Sequence, residues 1–320
     1  MTVAFRRSLL AVSLAVAAAS WLPGAASAAY PDKPIELIVP WPAGQESDVL
    51  GRVLATAMAR RLGVPVQVIN KPGAGGVSGT SELVRARPDG YTIGLISVGP
   101  ALTQPLAGNA PYQPSDLQPV ALVSASSFVL AARADGPFKS LADVEARARE
   151  GKPPVLANFG PAALPTQVVY RMAKAKNWQF KPVTFPGAGW AQLAAGDAEL
   201  VTALYNTIAG QLKSGQARAL AVFGKDRIPG LDAPTLREAG YGFDAMVWSG
   251  MFVPPGTPGP VVEKLAKALA ESLQDADVVE SSKKLGVPLF NIGAQQAAEQ
   301  IKADESALRP QMEALGLVKK

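Results

Sequence analysis

The chain contains no cysteine and no histidine among its 320 residues. Without cysteine there can be no disulfide, no thiolate metal site and no thiol nucleophile. Without histidine the commonest general base and metal ligand is missing, and a Ser-His-Asp triad is impossible. Carboxylate, Lys or Tyr chemistry stays open, but an enzyme becomes the lesser expectation. Charge is sparse too: 31 Lys and Arg against 26 Asp and Glu give a net charge of +5. Arg6 and Arg7 stand in a leader expected to be removed, which leaves 31 − 2 = 29 basic against 26 acidic residues, or +3. That excess is dispersed, with no basic block and no zinc-finger spacing, so nucleic acid is not an expected partner. No stretch beyond the leader could span a membrane, and the leader's apolar run, Leu9 to Ala19, falls short of the roughly 20 residues a spanning helix needs.

The first 28 residues read as a secretory signal: a basic start, the apolar run, and a small-residue site at Ala26-Ser27-Ala28. An uncleaved anchor is the alternative. Arg6-Arg7-Ser8-Leu9-Leu10 also fits the twin-arginine pattern loosely, so the Sec and Tat routes both stay open. The mature protein is expected to be soluble and exported, beginning near Ala29 or Tyr30. With 48% hydrophobic and 18% charged residues it should be globular, and its length suggests two domains or one large one.

What is present is organised around Ile35 to Gly63. A largely apolar run, Ile35 to Val39, ends in a turn from Pro40 to Gln45. A helix follows, with Ser47 or Asp48 as its candidate cap and Val49, Leu50, Val53, Leu54, Ala57, Met58 and Leu62 at three- and four-residue spacing. In open α/β sheets, ligands bind outside the carboxyl ends of strands, where such loops lie. The free N–H groups opening the helix attract anions, by roughly 0.3–1 kcal/mol when exposed and up to about 2 kcal/mol when partly buried. The loop is therefore expected to hold one end of an anionic ligand; an ordinary βα unit with an empty loop is the alternative.

A second strand, Val64 to Ile69, runs into the glycine-rich stretch Asn70 to Gly79, a helix to about Arg87, and a third strand, Thr92 to Ile96. Strand, helix, strand, helix, strand implies parallel pairing with right-handed crossovers. Gly73-x-Gly75 hints at a dinucleotide site, but the fingerprint's third glycine would fall at Ser78, and the sequence places it one residue further on, at Gly79. Ser97-Val98 also stands where a ribose-binding acid would be expected. The better reading is a second N–H-rich loop beside the first.

Taken together, Pro34-Ile35, Ile38-Val39-Pro40-Trp41-Pro42-Ala43-Gly44, Asp48, Asn70-Lys71-Pro72-Gly73-Ala74-Gly75-Gly76 and Pro88-Asp89-Gly90-Tyr91-Thr92 resemble the TctC/Bug family. These are the extracytoplasmic solute receptors of tripartite tricarboxylate transporters. The likeness continues through Leu117 to Val123, Gly196 to Leu204, Gly215 to Val222, Pro234-Thr235 to Ala239-Gly240 and Trp248 to Pro258, essentially the whole mature chain. It implies an α/β, two-domain periplasmic-binding-protein fold of type II-like form, each domain a mostly parallel sheet flanked by helices, with the ligand in the interdomain cleft. Domain 1 is expected to comprise 29–125 plus 246–320, and domain 2 to comprise 126–245. The extended segments Pro119 to Val123 and Phe128 to Ala132 would carry the chain across, and Trp248 to Val253 would return it. Helices are expected at Leu141 to Glu150 (capped by Ser140), Pro165 to Asn177, Pro260 to Leu273 and Asp277 to Leu285, with a last one, Ala294 to Leu315, broken or bent near Pro310.

The resemblance also implies a ligand carboxylate held largely by backbone N–H groups. That carries over here onto Ala43, Gly44, Gln45, Glu46, Ser47 and Asp48 in the first loop and Ala74 and Gly75 in the second. Ser97, Asn158, Gly160, Phe185 and Asn206 complete the candidate set at later strand ends. Trp41 and one or two of Phe159, Phe185, Trp190 and Tyr205 could sandwich a flat aromatic acid; core packing of most of them, and a linear dicarboxylate, are the alternatives. The sequence departs from the family at Gln45, which replaces a glycine, and at Glu46, which replaces a small residue. Glu46 either faces the pocket, where it would repel a carboxylate or accept a cation, or points to solvent; the solvent-facing reading is the favoured one. Asn206 stands where amino-acid-binding relatives carry Asp, which makes amino acids less favoured ligands. No catalytic residue, cofactor or metal is expected. The expected partners are a small carboxylate and the membrane permease of a tripartite transporter, with the receptor a monomer. A receptor presenting its ligand to a membrane sensor is one alternative, and an exported enzyme using carboxylate or Lys chemistry, with Glu46 and Asp48 the nearest candidates, is another.

Overall fold

The computed structural model describes residues 30–126, 128–185 and 188–318, so the expected export leader at 1–28 lies outside the described residues. From Lys33 onward the chain forms one contact unit. It opens with β1 (Ile35–Val39), α1 (Glu46–Leu62), β2 (Val66–Asn70), α2 (Val77–Arg85) and β3 (Thr92–Ser97). Ile35, Leu37, Ile38 and Val39 of β1 are all at most 1% exposed, as expected of a strand covered on both faces. Leu50, Leu54 and Met58 of α1 face that sheet, and Gly51 lets the helix approach closely, since a Cβ there would lie 3.1 Å from Val39 Cγ2. Gly63, in the left-handed region at φ 73, closes α1 by returning its N–H to Ala59.

After a wide helical turn, Gly99–Thr103, come β4 (Gln118–Ser126), β5 (Phe128–Arg133), α3 (Leu141–Arg149), β6 (Val155–Asn158) and α4 (Leu164–Ala175). Ser140 caps α3 as its position suggested: its hydroxyl accepts the Asp143 N–H while the Asp143 carboxylate accepts the Ser140 N–H. Then follow β7 (Lys181–Thr184), α5 (Trp190–Ala195), β8 (Leu200–Leu204), α6 (Tyr205–Lys213) and β9 (Ala217–Val222). The chain ends with β10 (Val247–Val253), α7 (Gly259–Ser272), α8 (Ala276–Leu285), β11 (Leu289–Gly293) and α9 (Ala294–Ala314). No helix among the described residues is long and apolar enough to cross a membrane.

The strands make two sheets, ordered β11-β4-β10-β3-β1-β2 and β7-β6-β8-β5-β9. The α/β architecture of two helix-flanked sheets is the expected one, but the sheets are mixed rather than mostly parallel. β1 pairs parallel with β2 and β3, and β6 with β7 and β8, whereas β10, β4 and β11 in one sheet and β5 and β9 in the other run antiparallel to their neighbours. The crossing accounts for β5 and β10: each enters its sheet from the loop edge and so runs against the βα strands, whereas β4 and β9 run with them.

Register fixes which edges meet. Val39 lies beside Asn70, Ser97 beside Ser249, and Val247 beside Ser126, so the loops after β1, β2 and β3 share an edge with the end of β4. In the second sheet Phe128 lies beside Leu204 and Val129 beside Val222, so the start of β5 shares an edge with the end of β8. β4 passes into β5 across a single residue, which brings the two loop edges together.

Two elements depart from the sequence expectation. β11 was unmarked because its five residues are only partly covered and its pairing with β4 is irregular. α9 runs unbroken through Pro310; both Pro310 and Ser306, whose carbonyl the proline cannot satisfy, are exposed, so that carbonyl is not buried without a partner.

Candidate functional site

The loop after β1 is held by one carboxylate. Asp48 is 2% exposed, and its Oδ2 accepts the Gly44 N–H at 2.8 Å and Arg52 Nε at 3.1 Å. Its Oδ1 accepts Asn70 Nδ2 at 2.8 Å and pairs with Arg52 Nη2 at 2.9 Å. Asn70 also donates to the Trp41 carbonyl at 3.0 Å, so the ring ties the loop to the end of β2. Burial pushes the Asp48 carboxyl up, but the bonds from Arg52, Gly44 and Asn70, with the Arg52 charge, outweigh it and hold the group below its ordinary value. Asp48 thus shapes the loop, and its Oδ2 takes up the Gly44 N–H.

The helix cap differs from expectation for the same reason. α1 starts at Glu46 after Gln45, with no side-chain cap from Ser47 or Asp48. Its ladder begins with the Val49 N–H bonded to the Gln45 carbonyl at 3.0 Å, which leaves the N–H groups of Glu46, Ser47 and Asp48 ahead of it, beside exposed Ala43.

The second loop bends through positive φ at Gly73, Ala74, Gly75 and Gly76 (135, 48, 65 and 90°). Gly76 faces Pro100, where a Cβ would lie 2.8 Å from Cγ. Gly79 faces the Lys71 carbonyl at 2.7 Å and Pro40 Cβ at 3.0 Å. The glycines thus serve close packing of α2 on the roots of both loops, which is why their spacing misses the dinucleotide fingerprint. α2 also starts without a side-chain cap, and its first turn holds no acid, whereas the first turn of α1 carries Glu46 and Asp48. Ser97 lies at the end of β3, on the same edge, paired with Ser249.

In the second sheet Asn158 repeats the Asp48 device. It is fully buried; its Oδ1 accepts the Gly160 N–H at 2.8 Å, and its Nδ2 donates to the carbonyls of Leu156 and Val183, both at 3.2 Å. These bonds tie Asn158 and Gly160 into the shape of the loop after β6. Phe185 is half-buried and packs with Trp190 and Tyr205 on the core of the second sheet, while Phe159 stands edge-on to Phe128 at 5.9 Å.

Glu46 reverses the favoured expectation. It points across the mouth rather than to solvent: Ser126 Oγ donates to its Oε1 at 2.5 Å and Asn206 Nδ2 to its Oε2 at 3.0 Å. The first loop thereby touches both the end of β4 and the start of α6. Burial raises the Glu46 carboxyl above its ordinary value, and the Ser126 and Asn206 bonds only partly offset that. Asn206 Oδ1 is buried and accepts no hydrogen bond among the described residues. Ser126 escaped the sequence reading; its one signal is a hydroxyl at the end of a mainly apolar strand.

The profile of the tripartite tricarboxylate transporter family receptor, TctC, matches residues 50–317. A protein of Pseudomonas sp. strain P51, described as a UPF0065 protein in the tcbD-tcbE intergenic region, is 32% identical over 291 residues, covering 88% of this chain and 86% of its own. Among solved structures, the periplasmic binding protein BugD is 32% identical with a TM-score of 0.75, covering 91% of this chain and 100% of its own. MatC of Rhodopseudomonas palustris, solved with bound malate, is 26% identical with a TM-score of 0.75, covering 88% of this chain and 99% of its own. A profile match over most of the chain, and a shared fold with relatives of this kind, make the chain a member of the tripartite tricarboxylate transporter receptor family, a family of solute-binding receptors.

Proposed function

We propose that this receptor captures a small carboxylated solute in the periplasm, between the loop edges of its two sheets, and delivers it to the permease of a tripartite transporter. It does so as a monomer and without chemical turnover. The observation that carries the reading is the pair of helix starts, α1 and α2, set side by side at the carboxyl ends of β1 and β2 without side-chain caps. Backbone donors so arranged suit a carboxylate. The malate bound by MatC, a relative of the same fold, supports that class of solute, and the periplasmic character of BugD supports the location.

Micromolar affinity requires about −8 kcal/mol. A helix start supplies at most about 2 kcal/mol. The rest comes from closure of one lobe (29–125 with 246–320) on the other (126–245), which adds contacts and excludes water. Ala74 and Gly75 grip the carboxylate, with the amides of Glu46 to Asp48 and the Ser97 end of β3 beside them. Trp41 and Phe185 wall the solute. Asp48, Asn158 and Gly160 enter as loop supports.

The test is calorimetry and thermal shift over a panel of small acids that includes malate, with product analysis after incubation. At least one acid should bind with micromolar Kd and stabilise the fold, by about 2.7 kcal/mol at a hundred times Kd. Binding confined to solutes without a carboxylate, or conversion of the bound acid, overturns the reading.

A further inference from the structure

Glu46 is a half-buried carboxylate at the mouth, and among the described residues no cation pairs with it. Asp48, two residues on, is compensated by Arg52. Glu46 has only two neutral donors, Ser126 and Asn206. A carboxylate offers about four acceptor positions, so capacity is left over. Beside it, the buried Asn206 Oδ1 is a second acceptor without a donor. A partly buried charge without a counter-ion and a buried acceptor without a donor are both costly, and a solute that brings N–H groups and positive charge relieves both at once. The other loop has the opposite character: α2 begins with backbone N–H groups and no acid.

We propose that Glu46 sets the specificity of this receptor for amino-carboxylates: the solute's carboxylate lies at the Ala74–Val77 loop, and its cationic amino group lies against Glu46 and Asn206 Oδ1. The inference rests on the carboxylate-capture reading and narrows it. It also places a fixed negative charge where a second solute carboxylate would have to sit, so dicarboxylates lacking nitrogen are disfavoured.

The experiment is calorimetry at neutral pH with matched pairs: succinate and aspartate, glutarate and glutamate, 3-phenylpropanoate and phenylalanine. It is run on the wild type and on Glu46→Gln, an isosteric change whose folding is checked by thermal melting. In at least one pair the amino member should bind the wild type at least tenfold more tightly. Glu46→Gln should weaken that member at least tenfold while leaving its partner unchanged or tighter. If the amino-free acids bind the wild type as well as or better than their partners, this inference falls while the capture reading stands. Equal weakening of both members by Glu46→Gln makes Glu46 a structural bridge and also overturns it. If no acid binds, the capture reading fails and takes this one with it.

Discussion

Asp48 and Glu46 stand two residues apart in one helix turn, about 200° around the axis, and so face opposite ways. One turns inward to Arg52 and Asn70, the other outward to Ser126 and Asn206. Their titrations carry opposite signs. The Asp48 carboxyl is held below its ordinary value, so its stabilisation is present above about pH 4, the unfolded range for Asp, and is lost as pH falls through its lower folded value. Asp48→Ala strands the Gly44 N–H and Asn70, and should cost about 2 kcal/mol in urea denaturation at pH 7, with the gap to wild type narrowing in acid. Glu46 is raised, so its contribution is present below about pH 4.3 and is lost as pH rises through its higher folded value. Glu46→Gln should therefore melt at or slightly above the wild-type temperature at pH 7, by about 2 °C, and lose that advantage below pH 4. Both acids were visible in the sequence as residues of a helix start. The direction of Glu46 was not, because its partner Asn206 lies 160 positions away.

At the scale of elements, α2 is the wedge on which both loops rest. Gly79→Ala would drive a methyl group into the Lys71 carbonyl and Pro40. Overpacking of this kind costs about 1–3 kcal/mol. Affinity for the captured acid should drop alongside stability, whereas a change at exposed Gly151, with nothing within 4 Å of a Cβ, should leave affinity alone. The βα units were legible because buried parallel strands and amphipathic helices write strong periodicity. β11 and the wide turn Gly99–Thr103 were not, since one is a partly covered edge strand and the other a locally irregular helix. Trp248 shows a further limit of pattern reading. It is fully buried, yet its indole N–H donates to Asp304 Oδ2 of α9 at 2.7 Å. Asp304 is itself raised by burial, partly offset by Trp248 and Gln300. Trp248→Phe should cost about 2 kcal/mol by denaturation, because it leaves a buried carboxyl short of a donor.

For the whole molecule, the decisive geometry is that both sheets turn their loop edges toward the crossings. The alternation of strands and helices announced two βα sets, while the reversed course of β5 and β10 emerged only from pairing. Capture between the edges predicts a particular pattern of amide hydrogen exchange. A bound acid should protect 43–48 and 73–77 together with 204–207 on the far side, and leave α7 and α8 unchanged. Protection of one sheet's loops alone would contradict capture between them.

The C-terminal helix ties that geometry together. α9 packs on β4, yet near its far end Gln311 Nε2 donates to both the carbonyl and Oε1 of Gln167 in α4, at 2.7 and 2.8 Å. Any swing of the second sheet must pivot near that contact or tear it. On the proposed closure, α9 would act as a doorstop, limiting how widely the halves part and hence how quickly a trapped molecule escapes. Shortening the protein before Gln311 should lengthen the swing and speed release in stopped-flow measurements.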